Sequence, residues 1–147
     1  MVLSTARRRM SEAVDRSTSV LIVGSSQDAR AIAERLAASE HYEVVFGTER
    51  ADLVAQADET VDARELRFDD GGLAALHLRV DAAVVATERD RTNLLVAQTL
   101  RARGEVGRLV VRVNDPDREE LFAGLGAETV CPTDVLAPAF ESALEAP

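Results

Sequence analysis

The chain contains no lysine: all 17 of its basic residues are arginines. That absence removes several chemistries outright. A P-loop needs a lysine on the phosphates, pyridoxal phosphate and Schiff-base enzymes need its amine, and tyrosine/lysine dehydrogenases need both partners. Cysteine is almost absent too. Cys131 stands alone, so neither a disulfide framework nor a zinc cluster can form within one chain, and it reads as a small buried hydrophobe. No run of about 18 apolar residues occurs, so direct membrane insertion is not expected. Arg7, Arg8 and Arg9 are followed by no apolar stretch of the kind a secretory signal carries, and the simplest location is cytoplasmic.

What is present is acidic. Twenty-six carboxylates give the 147 residues a net charge of −9, which opposes non-specific nucleic-acid binding, so no nucleic-acid partner is expected. Acidity with arginine as the only fixed cation is what a GC-rich or a halophile genome gives. The chain is 46% hydrophobic and 29% charged, too polar to span a membrane and too apolar for disorder. Its length suits a single core.

Short apolar runs bounded by turn residues alternate with helical patterns. Val20–Val23, Val44–Phe46, Ala82–Ala86 and Leu109–Val111 are too short for helices and read as parallel strands buried on both faces. Between them, Ala29, Ile32, Ala33, Leu36 and Ala37 recur at helical spacing, as do Leu94–Ala97 with Leu100, and then Leu121, Phe122 and Leu125. Alternation at this pace predicts an α/β, Rossmann-like doubly wound parallel sheet of strand order 3-2-1-4-5-6 in a single domain. A short helix is predicted over Glu49–Ala57, and a third, edge strand near either Thr60–Ala63 or Ala63–Phe68. Thr129–Cys131 reads as the last strand, stopped by Pro132, and Val135–Leu144 as a final helix with little chain to pack against. Ahead of the lobe at 18–147, residues 1–17 place Leu3, Ala6, Met10, Ala13 and Val14 on one helical face. That amphipathic segment is either a covering or partner-binding helix or a frayed basic terminus.

In such a sheet, ligands bind beyond the carboxyl ends of the strands where the strand order reverses, between the first and fourth. After the first strand, Gly24-Ser25-Ser26-Gln27-Asp28-Ala29 is a G-x-G-x-x-G loop with only its first glycine intact. Gly24 keeps the tight turn, and Ala29 is an accepted small substitute where helix meets strand. Ser26 replaces the glycine that lets backbone approach a pyrophosphate, and its hydroxyl can meet a phosphate or cap a helix opening at about Asp28. An acidic ribose ligand is due about 20 residues on. The count lands on Gly47, with Glu49 either reaching the ribose or joining the next helix. After the fourth strand, Thr87, Asp90 and Asn93 lie beside the crevice; Asp90 can instead cap the helix, and Asn93 can face solvent. Arg112, inside an apolar strand, needs either a ligand anion or an internal carboxylate.

These residues resemble the RCK family, whose nucleotide-binding lobe is also called the Trk-A N-terminal or KTN domain. The likeness rests on Val20–Gly24 with its helix, on Ala82–Asn93 as a strand plus T-x-x-D-x-x-N-L-L, on Val110–Asn114 as V-V-R-V-N, and on Gly126–Pro132. It implies a lobe that binds NAD(H) or an adenine nucleotide (ATP, ADP or AMP), forms a homodimer or higher homo-oligomer, and regulates a membrane potassium transporter or channel. Such a lobe is peripheral to the membrane through that partner. On that resemblance Gly24, Ser25, Ser26 and Gln27 face phosphates, Thr87 and Asn93 line the crevice, and Arg112 meets a phosphate or an inter-lobe carboxylate. The chain departs from the family pattern at Ser26, at Gly47 in place of the ribose aspartate, and at Arg67 where an ungapped count expects a Gly-Asp aspartate; another register offers Asp62. Arginine in place of those carboxylates favours a phosphate-rich ligand or none. Family members often continue through a long crossover helix into a second lobe, and Val135–Leu144 supplies at most the start of such a helix.

Two functions therefore remain from the sequence. One is a regulatory nucleotide sensor, marked by Gly24–Gln27 opposite Thr87–Asn93; the other is a degenerate lobe kept for dimerisation or docking. An enzyme is not expected, because Tyr42, His41 and His77 all lie outside the crevice loops and offer no general acid or base.

Overall fold

The computed structural model describes residues 17–77 and 79–147; the amphipathic segment expected at 1–17 therefore lies, except for Ser17, outside the described residues. The strands are β1 (Thr18–Val23), β2 (Tyr42–Thr48), β3 (Asp62–Glu65), β4 (Val80–Val85), β5 (Val106–Arg112) and β6 (Glu128–Val130). Helices α1 (Gln27–Ala37), α2 (Ala51–Gln56), α3 (Asp70–Ala74), α4 (Asp90–Arg103) and α5 (Pro132–Glu145) alternate with them, and a 3-10 segment over Pro116–Leu125 joins β5 to β6. All pairings are parallel in the order β3-β2-β1-β4-β5-β6.

Successive side chains of a strand point to opposite faces, so a strand covered on both sides must be apolar throughout. In β1, Leu21 and Val23 pack with Leu73, Val96, Ala97, Leu100 and Phe122 on one face of the sheet. Val20 and Ile22 pack with Ala29, Ala33, Phe46 and Leu53 on the other. The chain builds one side with α1 and α2, then crosses to β4 and builds the other. The order reverses between β1 and β4, which opens a crevice above their carboxyl ends.

The edges differ from expectation in detail. β3 straddles the two ranges considered for it, pairing Val45 with Asp62 and Thr48 with Glu65. The helix α3 has only five residues, two of them glycine, and carried no periodic signal. The stretch with Leu121, Phe122 and Leu125 is a 3-10 turn rather than a crossover helix: Asp115 caps it, Pro116 starts it, and Gly126 ends it at a left-handed φ of 63°. The tighter winding turns only Phe122 fully into the core, leaving Leu121 59% exposed. Cys131 is buried. None of the residues of α5 is buried, and Val135, Leu136, Phe140 and Leu144 are all exposed.

Candidate functional site

The loop after β1 is set by close packing. A Cβ on Gly24 would lie 2.4 Å from the Cβ of Ala29 and 3.3 Å from the carbonyl oxygen of Ala86, so glycine here lets α1 press against the ends of β1 and β4. Ser26 is the N-cap of α1, its Oγ accepting from the Ala29 N–H at 3.2 Å. The helix thus opens at Gln27, one residue before the expected Asp28, and the Ser26 hydroxyl already has a partner. Gln27 is turned toward α2, its Nε2 donating to Gln56 Oε1 at 2.9 Å. Of the four loop residues expected at phosphates, Ser25 lines the crevice.

The position expected of the ribose aspartate moves by one residue: Gly47, where the count lands, lies inside β2 opposite Val23, and the strand ends at Thr48, fully buried, whose Oγ1 accepts from the Arg50 N–H at 3.2 Å. Glu49 stands before the helix, not within its first turn: Arg50 is the N-cap of α2. The Glu49 carboxylate accepts from the Phe68 N–H at 3.2 Å while still lining the crevice. Arg50 was not anticipated. Its Nε and Nη2 donate to the two Asp52 oxygens at 3.1 and 2.5 Å, and its Nη1 donates to the Ser25 carbonyl at 3.3 Å. The Arg50 hydrogen bond holds the Asp52 carboxyl below its ordinary range, and Asp52 holds the guanidinium above its own. Arg67 is exposed and only loosely paired with Asp69 at 3.5 Å; with Glu49 it borders a neighbouring hollow at the β3 edge. Asp62, the other register's candidate, pairs with Arg64 at 2.7 Å.

Across the crevice, Thr87 and Asn93 form a hub. Asn93 is fully buried rather than solvent-facing, and its Oδ1 accepts from Thr87 N–H at 3.0 Å and lies 2.5 Å from Thr87 Oγ1. Its Nδ2 donates to the carbonyls of Thr87 and Arg112, both at 2.9 Å. Asp90 is not the cap of α4, since Arg89 holds that position without a side-chain bond. Buried at 7% exposure, Asp90 instead accepts from Asn114 N–H at 2.6 Å and Asp115 N–H at 3.0 Å, tying the start of α4 to the turn after β5. Arg112 makes no carboxylate pair among the described residues. Its Nε donates to Asn114 Oδ1 at 2.6 Å, so a neutral amide stands where an internal carboxylate, one of the two partners expected, would be. Asn114, at the end of V-V-R-V-N, also donates to the Thr87 carbonyl at 3.2 Å.

The crevice itself encloses about 360 Å³ between Ser25, Glu49, Arg50 and Phe68 on one side and Thr87, Glu88, Arg89 and Thr92 on the other. Both signs of charge line it. A larger hollow of about 560 Å³ lies at the amino ends of the strands, around Ser19, Tyr42 and Asp62. In parallel sheets the carboxyl ends carry ligands, because helix N-termini and strand-end loops converge there. The smaller hollow is the candidate site.

A doubly wound parallel sheet with a crevice at its reversal point defines a Rossmann-like lobe. The chain belongs to the TrkA-N domain family, whose model matches residues 20–133. It is similar to the NAD(P)-binding domain of an exopolyphosphatase-related protein from Archaeoglobus fulgidus, at TM-score 0.75 and 24% identity over 87% of this chain and 98% of that one. It is also similar to the TrkA-N domain of inner membrane protein ybaL from Escherichia coli, at TM-score 0.74 and 18% identity over 88% of this chain and 98% of that one. The GsuK channel bound to NAD matches at TM-score 0.68 and 23% identity over 83% of this chain, which spans 23% of the channel chain. At these identities the likeness is one of fold. No curated protein matches the chain.

Proposed function

We propose that this chain is the nucleotide-sensing regulatory domain of a potassium transport system, taking NAD(H) or another adenine nucleotide in the crevice between β1 and β4. The observation that carries the reading is the crevice at the reversal point of a TrkA-N lobe, with Ser25 and Arg50 on one wall and Thr92 on the other. The GsuK channel, which shares the fold, binds NAD and supports the choice of ligand. Binding draws the two walls together. A second copy of the chain and a membrane transporter turn that closure into a gating signal, so the domain works in the cytoplasm at the membrane face. The role proposed is one of binding without catalysis.

A second reading has its own support. Ser26, Thr87 and Asn93, expected at the ligand, spend their hydrogen bonds inside the fold, as they would in a ligandless dimerisation or docking module. A thermal-shift panel of ATP, ADP, AMP, NAD and NADH separates the two. A ligand at about 100 times its dissociation constant adds about 2.7 kcal/mol of stability. The sensor gives a clear rise with one nucleotide class, whereas a flat panel on a cooperatively melting protein supports the ligandless module.

A further inference from the structure

In a Rossmann-like lobe the last residue of the second strand decides how the adenosine ribose is held: a carboxylate there accepts from the 2′-hydroxyl, whereas a neutral residue with a nearby arginine accommodates a 2′-phosphate. Here that residue is Thr48, its side chain buried and its oxygen occupied by the Arg50 N–H. The following carboxylate, Glu49, is turned to the Phe68 N–H. The strand end itself carries no carboxylate, and the one that follows has one of its two oxygens committed to backbone.

Arg50, two residues on, stands at the same corner. Its contact with the Ser25 carbonyl sets the guanidinium against the loop after β1, and it lines the crevice. An arginine side chain has five N–H donors. Two go to Asp52 and one to Ser25, which leaves one N–H on each terminal nitrogen. Asp52 is half exposed, so the pair contributes little stability and yields readily to a competing dianion while it orients the guanidinium in the free protein. Glu88 and Glu49 also line the crevice, and Arg89 offsets one of them.

Resting on the nucleotide-binding reading above, we infer that the Thr48-Glu49-Arg50 corner selects a 2′-phosphorylated adenine dinucleotide, NADP(H), over NAD(H). A phosphate at the ribose 2′ position takes the two spare guanidinium donors as a charge-assisted pair. The ribose of NAD(H) has only Thr48 and the remaining Glu49 oxygen to meet there.

Titration calorimetry of the full chain with NADPH and NADH tests this, with adenosine 2′,5′-bisphosphate and 5′-AMP isolating the 2′-phosphate from the nicotinamide half. The wild-type protein binds NADPH about tenfold or more tightly than NADH, and the bisphosphate more tightly than 5′-AMP. Arg50→Ala removes that preference by weakening NADPH alone, Arg50→Lys restores part of it, and the preference shrinks as ionic strength rises. Equal affinities, tighter NADH binding, or an Arg50→Ala loss shared by both nucleotides overturns the inference and leaves the nucleotide-binding reading standing. Binding of none of the four overturns both.

Discussion

Two residues show how polar groups are spent in this molecule. Asn93 has no access to solvent and joins the end of β4, the start of α4 and the end of β5 through its one side chain. A buried amide that loses its partners leaves theirs unsatisfied, and each orphaned group costs about 1–3 kcal/mol. Asn93→Ala should therefore lower stability by more than about 2 kcal/mol in urea unfolding, with Asn93→Asp retaining only part of the network. At the opposite end of the sheet, Asp81 accepts from both the N–H and the hydroxyl of Ser19, at 2.8 and 3.0 Å, clipping β1 to β4. These donors hold its carboxyl below the ordinary range, the backbone one most strongly. A folded-state value below the unfolded one adds stability above the unfolded value, and that stability is lost as pH falls through the folded one. Asp81→Asn should thus lower the melting temperature at neutral pH, and the gap to wild type should close in acid. A gap independent of pH would mean the carboxylate is not what Ser19 holds. The sequence did not disclose these partners: Asn93 meets Arg112 19 residues away, and Thr87 meets Asn114 27 residues away. Only the assembled strand ends bring them together.

The elements themselves were far more legible. A parallel strand covered on both faces must be a continuous apolar run, and the runs at Val20, Val44, Ala82 and Leu109 stand out for that reason. Edge elements carry no such constraint. β3 reads Asp-Ala-Arg-Glu, with its middle residues half-buried and its ends exposed, and its position was open because nothing in it had to be apolar. The helix α5 poses the opposite case, because its apolar residues are conspicuous and nothing in the described chain covers them. Leu136, Phe140 and Leu144, four residues apart, share one face, with Val135 at its margin. The second copy of the chain proposed above would find this face open, which makes Phe140→Asp a direct probe of it. The wild-type protein should run as a dimer in sedimentation velocity and the variant as a folded monomer; a wild-type monomer at all accessible concentrations removes α5 from the interface.

At the scale of the whole molecule, the fold follows from one reversal of strand order, and the reversal places the crevice. Which residues fill that crevice does not follow from the fold. The loop after β1 retains one glycine of three, and the carboxylates usual at ribose are replaced by Thr48 and an arginine. The lost glycines are visible in the sequence, whereas nothing there sets Arg50 above Arg67. The role of Arg50 depends on where β2 stops, and strand ends are the least legible feature of a sequence. No helix among the described residues is long and apolar enough to cross a membrane. The proposed function requires that a nucleotide enter the crevice between β1 and β4. The most direct test is a two-dimensional amide NMR titration of the intact chain with NADH and NADPH. Saturable shifts concentrated at Ser25, Glu49, Arg50, Phe68 and Glu88–Thr92 are the predicted result. Spectra that stay unchanged, or shifts gathered around Ser19, Tyr42 and Asp62 at the other end of the sheet, would contradict it.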